Sequence, residues 1–258
     1  MSLIAVAGPS GVGKSTSMGQ IPELNIKGLD PKETFIINIA GKPLPFKGWR
    51  KKYTTVAPGK DGLEGNYYAL ASNDRFGLAV GGREINPALE TGKKLAAIFK
   101  YIKQAGFKNV VLDDWQYIMG FEFMRRAKEK GYDKFNMVAS EGYASIQLSQ
   151  ILPEETKVFF MCHDERETNQ ETGETFRKIK TSGKLVDNAI NVEGLMTVVL
   201  FAEVRVTTGT DGKTNRQYGF TTQSDGTTTA KSPVGMFDSD FIPNDLGYVV
   251  DKINEYEN

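Results

Sequence analysis

The stretch AVAGPSGVGKST, residues 5 to 16, decides the fold. Gly8, Gly13, Lys14 and Ser15 satisfy the pattern G-x-x-x-x-G-K-[ST], the Walker A motif. In this motif backbone N–H groups of a glycine-rich loop surround phosphates, the lysine reaches the β- and γ-phosphates, and the hydroxyl faces Mg²⁺. We therefore expect a nucleotide to bind the loop residues Gly8, Pro9, Ser10, Gly11, Val12, Gly13, Lys14, Ser15 and Thr16.

The residues on either side of the loop favour the same interpretation. The apolar run LIAVA before it predicts a buried strand, and KSTSMGQI after it predicts the start of a helix. Phosphate would then lie at a helix N-terminus. The apolar run at 35–39, in ETFIINIAG, predicts a second buried strand, so the chain begins as a βαβ unit with a parallel sheet.

Composition limits the class of protein. The 258 residues fit one α/β domain, 1–258, with an elaborated insertion at about 41–86, where proline, glycine and aromatic residues interrupt the pattern. The 32 basic and 32 acidic residues cancel, so no global field favours nucleic acid or a membrane. Cys162 is the only cysteine, which excludes an internal disulfide. Without a signal peptide or an apolar run of membrane-spanning length, we expect a cytoplasmic protein with no membrane partner.

Further elements follow in order along the chain. The spacing of apolar residues predicts a helix from 87 to Gly106, a strand in NVVLDDWQ, and helices at about 115–131 and 138–151. TKVFFMCHDE predicts a buried strand, followed by a polar loop over 164–182. NVEGLMTVVLFAEV and RQYGFTTQ predict a hairpin-like pair of strands, and Asp245 caps a final helix.

Two acids end the strand NVVLDDWQ. A P-loop site needs an acid at the end of a neighbouring strand, because the Mg²⁺ on the β- and γ-phosphates takes oxygen ligands. We expect Asp113 to hold the metal together with Ser15, and Asp114 to orient an attacking water. The alternative is that both acids simply leave the strand and cap the next helix.

His163 ends the strand VFFMC. In an open parallel sheet the ligand lies outside the carboxyl ends of the strands, so a polar residue there can sense the γ-phosphate. The alternative is a histidine that only bonds to a nearby loop. Cys162, beside it, fits an ordinary core residue.

Longer segments carry a family resemblance. GPSGVGKST, IINIAGKPLPFKGW, VVLDDWQYIM, FEFMRRAKEKGYDKF, VFFMCHDE, KIKTSGKLVDN, EGLMTVVLF and AKSPVGMF resemble the RecA-like, AAA-domain ATP-binding proteins of bacteriophages. These proteins are related to the RecA/Rad51 recombinase core. The resemblance spans nearly the whole chain and implies the cytoplasm of an infected bacterial host.

The resemblance implies a fold and several roles. The P-loop strand, the VFFMC strand and the VVLDD strand should be neighbours in a mainly parallel sheet flanked by helices, with a C-terminal antiparallel strand pair. His163 should be the γ-phosphate sensor, and Lys231 a basic finger that reaches the nucleotide of a neighbouring subunit in a homo-oligomer or filament. Lys231 is otherwise a solvated loop lysine. RecA-type enzymes carry a catalytic glutamate after the second core strand, where this chain reads IAGKPLPF, so Asp114 substitutes or hydrolysis is slow.

Two basic segments are candidates for contact with single-stranded DNA, because cations interleaved with aromatic rings suit phosphates and bases. The alternative for each is a solvated surface with anchoring rings. The first segment, FKGWRKKY, contains Phe46, Lys47, Trp49, Arg50, Lys51, Lys52 and Tyr53. The second, FRKIKTSGK, contains Arg177, Lys178, Lys180 and Lys184.

Three functions are compatible with these features. The first is a DNA-stimulated ATPase of phage recombination or replication that helps annealing or strand exchange on single-stranded DNA. The second is a small-molecule kinase, for which HDERETNQETGETFRK would form an arginine-bearing lid. The third is an ATP-switched scaffold with little turnover. ATP is expected in place of GTP because the chain has no N-K-x-D guanine motif.

Overall fold

The P-loop strand predicted from LIAVA is present as β1, Ser2–Ala7, and every residue of it is buried. Its alternate side chains face opposite sides of the sheet, so a strand buried on both faces is predominantly apolar. The computed structural model describes residues 1–60, 62–70, 78–80, 83–85, 91–181, 191–208 and 212–258.

Further elements follow β1 in chain order. The strands are β2 Thr34–Asn38, β3 Ala57–Gly59, β4 Gly62–Glu64, β5 Tyr67–Ala69, β6 Leu78–Val80, β7 Arg83–Ile85, β8 Asn109–Asp113, β9 Lys157–Cys162, β10 Asp164–Thr168, β11 Thr175–Ile179, β12 Val198–Thr208, β13 Thr214–Thr221 and β14 Phe241–Pro243. The α-helices are α1 Trp49–Lys52, α2 Thr91–Ala105, α3 Tyr117–Arg125, α4 Asp133–Ser149, α5 Val192–Leu195 and α6 Leu246–Glu257. Short 3₁₀ turns span Ser15–Met18 and Pro22–Leu24.

The central sheet of the described residues has eight strands in the order β14-β13-β12-β1-β9-β8-β2-β5. From β12 to β5 neighbouring strands are parallel, and β13 and β14 extend the sheet antiparallel at one end. The P-loop strand, the VFFMC strand and the VVLDD strand are therefore adjacent, as predicted. The predicted α/β class, with a mainly parallel sheet and a C-terminal antiparallel pair, is confirmed.

Helices cover both faces of this sheet. On one face Leu3 and Ala5 of β1 pack in a cluster that includes residues of α2, α3 and α4. On the other face Ile4 and Val6 pack in a cluster that includes Met18 and residues of α6. The sheet is thus a middle layer, and its strands end at edges where loops can build a site.

The predicted helix after the P-loop is wrong. Only the single 3₁₀ turn Ser15–Met18 forms, and Gly19 after it is extended, at φ −79° and ψ 142°. Pro22 explains the stop, because a helical proline clashes with the carbonyl of the residue four positions earlier, here Met18. The Walker A loop of this chain therefore does not lead into an α-helix.

The predicted polar loop over 164–182 is also wrong in its described part, because β10 and β11 pair as an antiparallel hairpin. Across it Lys178 forms ion pairs with Glu165 and Glu167. Opposite charges on facing strands stabilise such a pair, which explains a strand ladder in so polar a sequence. Gly173, at φ +74°, supplies the left-handed residue of the turn.

Other boundaries differ in detail from the predictions. The helix α3 ends at Arg125, well before 131, and α4 begins at Asp133, before 138. The start of NVEGLMTVVLFAEV forms the short helix α5, so the strand begins only at Val198. Within the predicted insertion 41–86, β5 joins the main sheet beside β2, and α1 forms a single helical turn. Asp245 caps α6 as predicted, accepting from the backbone N–H of Gly247 and of Tyr248.

No helix within the described ranges is long and apolar enough to cross a membrane.

Candidate functional site

The carboxyl ends of four neighbouring strands are tied together by backbone hydrogen bonds. The N–H of Gly8, after β1, donates to the carbonyl of Cys162 in β9, and Trp115 N–H, after β8, donates to Met161. Ile39 N–H, after β2, donates to the carbonyl of Asp113. These bonds hold the loops after β1, β2, β8 and β9 side by side, at the edge where parallel sheets bind ligands.

The P-loop itself has the backbone that its glycines permit. Gly8 and Gly13 have φ of +156° and +92°. A Cβ on Gly13 would lie 2.5 Å from Asn244 Nδ2, and a Cβ on Gly8 would lie 2.8 Å from the carbonyl oxygen of Ala202. The positive φ favours glycine at both positions, and at Gly8 the close approach of the Ala202 backbone requires it as well.

Lys14 is buried inside the loop. Its Nζ donates to the carbonyl oxygens of Gly8 and Pro9, at 2.5 and 2.8 Å. Burial lowers the pKa of Lys14, and the nearby carboxylates, first Asp114, oppose that shift. A lysine held by the loop's own carbonyls lies where phosphate oxygens could replace them as its partners.

Ser15, at the end of the Walker A motif, and Asp113, at the end of β8, are far apart in the sequence but adjacent in the structure. The hydroxyl of Ser15 donates to Asp113 Oδ1 at 2.7 Å. Burial raises the pKa of Asp113 to about 6, against the hydrogen bond from Ser15, which lowers it. A hydroxyl beside a buried carboxylate is an oxygen donor set that suits Mg²⁺.

Asp114 follows in a left-handed backbone conformation, at φ +61°. For a residue with a Cβ this conformation costs about 1 to 2 kcal/mol, although aspartate tolerates it better than most. The turn separates the two carboxylates, so Asp113 faces Ser15 whereas Asp114 Oδ2 accepts from Lys42 Nζ at 2.7 Å. The two acids therefore have different environments, and neither caps α3, whose N-cap is Gln116 and has no side-chain cap.

His163 lies at the same edge, directly after β9. Its Nε2 is 3.7 Å from Asp114 Oδ1, which is too long for a hydrogen bond. Burial, followed by the charge of Lys14, lowers the pKa of His163, so the ring is neutral at pH 7. The backbone N–H of His163 donates a hydrogen bond to Gln116 Oε1 at 3.1 Å, which anchors the backbone at this position.

A cavity of about 840 Å³ opens along these residues. This volume is within the range of small-molecule sites. Its lining includes the predicted residues Ser10, Gly11, Gly13, Lys14, Ser15, Thr16, Asp113, Asp114 and His163. Gly8, Pro9 and Val12 are not part of the lining: Gly8 and Pro9 contribute carbonyls to Lys14, and Val12 packs against the core.

Several lining residues were not predicted. Lys42 reaches the cavity from the loop after β2, and Arg216, Gln217 and Tyr218 reach it from β13. Asn244 also lines it and donates to the carbonyl of Gly13 at 3.1 Å. Lys42 could have been predicted from the sequence, because it follows the carboxyl end of the predicted strand β2. The residues of β13 could not, because no local sequence pattern indicates that β13 lies beside the P-loop.

Lys231 does not line the cavity of its own chain. Its backbone exchanges two hydrogen bonds with Val199, at 2.8 and 3.0 Å, beside the start of β12. Val199 pairs with Ala5 of β1, two residues before the end of that strand. The proposed contact of Lys231 with the nucleotide of a neighbouring subunit stays a prediction.

In the first basic segment the rings act mainly as anchors. Phe46 and Tyr53 are buried, and Trp49 packs against Tyr67 at 5.3 Å between ring centroids. The cations Lys47, Arg50 and Lys51 are exposed, and the Arg50 guanidinium lies 4.5 Å from the Trp49 ring. This surface keeps exposed cations together with one half-buried ring.

In the second basic segment the cations pair with acids. Arg177 Nε lies 2.6 Å from Asp164 Oδ2, and its Nη1 lies 3.2 Å from Glu203 Oε1. Lys178, as described above, pairs with two glutamates, whereas Lys180 is exposed. Lys184 lies outside the described residues. The described part of this segment therefore offers less uncompensated positive charge than the first.

Comparisons with known proteins add little to the description of this site. No protein-family model matches the sequence, and no curated protein matches it. Among solved structures the chain is similar to a KaiC-like protein from the hyperthermophilic archaeon Pyrococcus horikoshii OT3, at 11% sequence identity and a TM-score of 0.41. The match covers 84% of this chain and 78% of that one.

Proposed function

We propose that this protein is a Mg²⁺-dependent P-loop ATPase. The observation that carries the proposal is the 2.7 Å hydrogen bond from Ser15 of the Walker A motif to Asp113 at the end of a neighbouring strand, with the buried Lys14 beside them in a cavity of about 840 Å³. A serine hydroxyl and an acid in these positions hold the metal in P-loop enzymes. ATP is preferred to GTP because the guanine motif is absent.

Each residue at this edge has a proposed role. Lys14 binds the β- and γ-phosphates, and Ser15 and Asp113 hold Mg²⁺. When bound, Mg²⁺ neutralises charge on the phosphate oxygens. Asp114 accepts a proton or orients a water, and the neutral His163 responds to the terminal phosphate. The remaining P-loop residues contribute backbone donors and the shape of the loop.

A second candidate, an ATP-switched scaffold with little turnover, is favoured by one specific contact. Asp114, the acid that would replace the missing glutamate, is paired with Lys42 at 2.7 Å. The Lys42 ammonium group occupies one carboxylate oxygen of Asp114, which is then less free to orient an attacking water. Slow hydrolysis is therefore compatible with this site, and a measured rate decides between the two.

A kinase receives less support. The segment that would form a mobile lid carries two arginines, of which Arg166 is exposed on β10, whereas Arg177 is held in the hairpin β10–β11 by Asp164 and by Glu203 of β12. Such pairs fix the side chain against the sheet and leave it poorly placed to swing over a substrate. We therefore keep phosphate transfer as an outcome of the experiment.

The biological role is a further part of the proposal. We infer action on single-stranded DNA in phage recombination or replication, as the resemblance of the sequence implies, with the first basic segment as the DNA contact. Its exposed Lys47, Arg50 and Lys51 can meet phosphates, while Trp49 offers part of one ring for stacking. Assembly into a homo-oligomer or filament would let Lys231 reach a neighbouring subunit's nucleotide.

The experiment is steady-state ATP hydrolysis with and without single-stranded DNA, next to a screen for phosphate transfer to nucleosides. Lys14→Ala protein is the control for contaminating ATPases. Stimulation by DNA that the control lacks is the expected result. Phosphate transfer to a nucleoside would identify a kinase, and tight ATP binding with negligible turnover would identify the scaffold.

A further inference from the structure

We propose that Lys42 is a second phosphate-binding cation, which contacts the terminal phosphate of a nucleoside triphosphate bound at the P-loop of its own chain. This inference rests on the proposed function and adds a residue that selects triphosphates over diphosphates. Lys42 lies in IAGKPLPF, the segment where the resemblance implies a catalytic glutamate and this chain has none.

The backbone at Lys42 is fixed by a buried amide. The side chain of Asn38, at the end of β2, donates to the carbonyl of Lys42 at 2.6 Å and to Tyr67 Oη at 3.0 Å. Its oxygen accepts from the N–H of Gly41 at 2.8 Å. Gly41 has φ +69°, as the tight turn requires. The turn after β2 is thus built to present residue 42 at the strand edge.

The side chain of Lys42 reaches the part of the cavity that is lined by Asp114. Its Nζ lies 2.7 Å from Asp114 Oδ2 and 5.3 Å from the centroid of the Tyr117 ring. Lys42 lines the cavity together with Lys14 and His163. The side chain of Lys42 is 60% exposed whereas that of Asp114 is 14% exposed. Most of its flexible stem can therefore turn toward a ligand without disturbing the core.

The charges around the cavity favour a second cation at the position of Lys42. In the proposed complex Asp113 and Asp114, which line the same cavity as the P-loop, would place two carboxylates near the terminal phosphate, and like charges repel one another. Among the cations that line the cavity, Lys14 is buried inside the loop, whereas Lys42 is exposed and paired with Asp114. Its hydrogen bond to Asp114 raises the pKa of Lys42, so it is a cation at neutral pH. A phosphate oxygen is an equally strong acceptor for its ammonium group.

The test is the ratio of affinities for a non-hydrolysable ATP analogue and for ADP, each with Mg²⁺, measured by calorimetry. Wild-type protein should prefer the triphosphate. In Lys42→Ala the affinity for the analogue should fall about 10- to 100-fold, the range for a hydrogen bond to a charged group, while ADP binding changes less than about twofold. Lys42→Arg should keep much of the preference.

Lys103→Ala is the matched control, since Lys103 is exposed on α2 and does not line the cavity. Circular dichroism of each variant checks folding. If Lys42→Ala binds the analogue as well as wild type does, or loses ADP and analogue equally, the inference is overturned. Wild-type protein that binds neither nucleotide would instead overturn the proposed function.

Discussion

Asp113 should make the nucleotide-free protein less stable at neutral pH. Its side chain is buried, and burial raises its pKa from 3.8 to about 6, with the charge of Asp114 adding to the shift. One pKa unit corresponds to about 1.4 kcal/mol, so the shift amounts to about 3 kcal/mol between the protonated and ionised forms. In Asp113→Asn this cost is absent, and the amide can still accept the hydrogen bond from Ser15.

The sign follows from the raised pKa. The neutral Asp113 contributes stability that is fully present below about pH 4, the unfolded pKa, and is lost as the pH rises through about 6. The asparagine variant has no such loss. Its free energy of unfolding should therefore exceed that of wild type by an amount that grows from pH 4 to pH 6 and levels at up to about 3 kcal/mol by pH 7.

Urea unfolding at pH 5 and pH 7.5, without Mg²⁺ or nucleotide, measures this difference. Glu155→Gln, which removes an exposed carboxylate, controls for the loss of one negative charge. A gain in stability for Asp113→Asn that is larger at pH 7.5 than at pH 5 is the expected result. A variant that is no more stable than wild type at pH 7.5, or a difference that does not change with pH, would refute the reasoning.

The other predictions concern turnover, DNA and assembly. Asp114→Asn should lower steady-state ATP turnover while ATP affinity stays nearly intact, because water positioning matters in the transition state; a loss confined to affinity would contradict this role. Alanine at Arg50, Lys51 and Lys52 together should weaken single-strand binding in fluorescence titrations and reduce the slope of log affinity against log salt by up to about 2, since each phosphate contact contributes about 0.7; an unchanged slope would exclude this surface. Lys231→Ala should bind ATP normally but lose DNA-stimulated turnover, and mixing it with Lys14→Ala should restore part of the activity; a mixture as inactive as its components would leave Lys231 as a surface lysine.

Much of the fold could be predicted from the sequence, because the buried strands of the central sheet are local apolar runs that can be recognised without knowledge of their tertiary contacts. β1, β2, β8 and β9 are buried on both faces, so each is a largely apolar segment of the sequence. Two acids mark the carboxyl end of β8, and a histidine follows β9. The rule that ligands lie at these ends was enough to bring Lys14, Asp113, Asp114 and His163 to one cavity.

The rest depended on contacts that sequence patterns do not encode. The 3₁₀ turn after the P-loop is followed by Pro22, a helix breaker that the helix predicted after the Walker A motif did not take into account. The hairpin β10–β11 forms by cross-strand charge pairs, so its residues read as a solvated loop. Tyr218 and Asn244 reach the cavity only because β13 and β14 extend the sheet beside β12, a long-range pairing.

Release of phosphate from Mg²⁺-ATP by wild-type protein and by Lys14→Ala tests the central claim most directly. Lys14 is held by the carbonyls of Gly8 and Pro9 and contributes little to the core, so the variant should fold normally. The account predicts Mg²⁺-dependent hydrolysis by wild type, however slow, and none above background by a folded Lys14→Ala protein. Hydrolysis by Lys14→Ala at the wild-type rate would contradict the assignment of the P-loop as the nucleotide site.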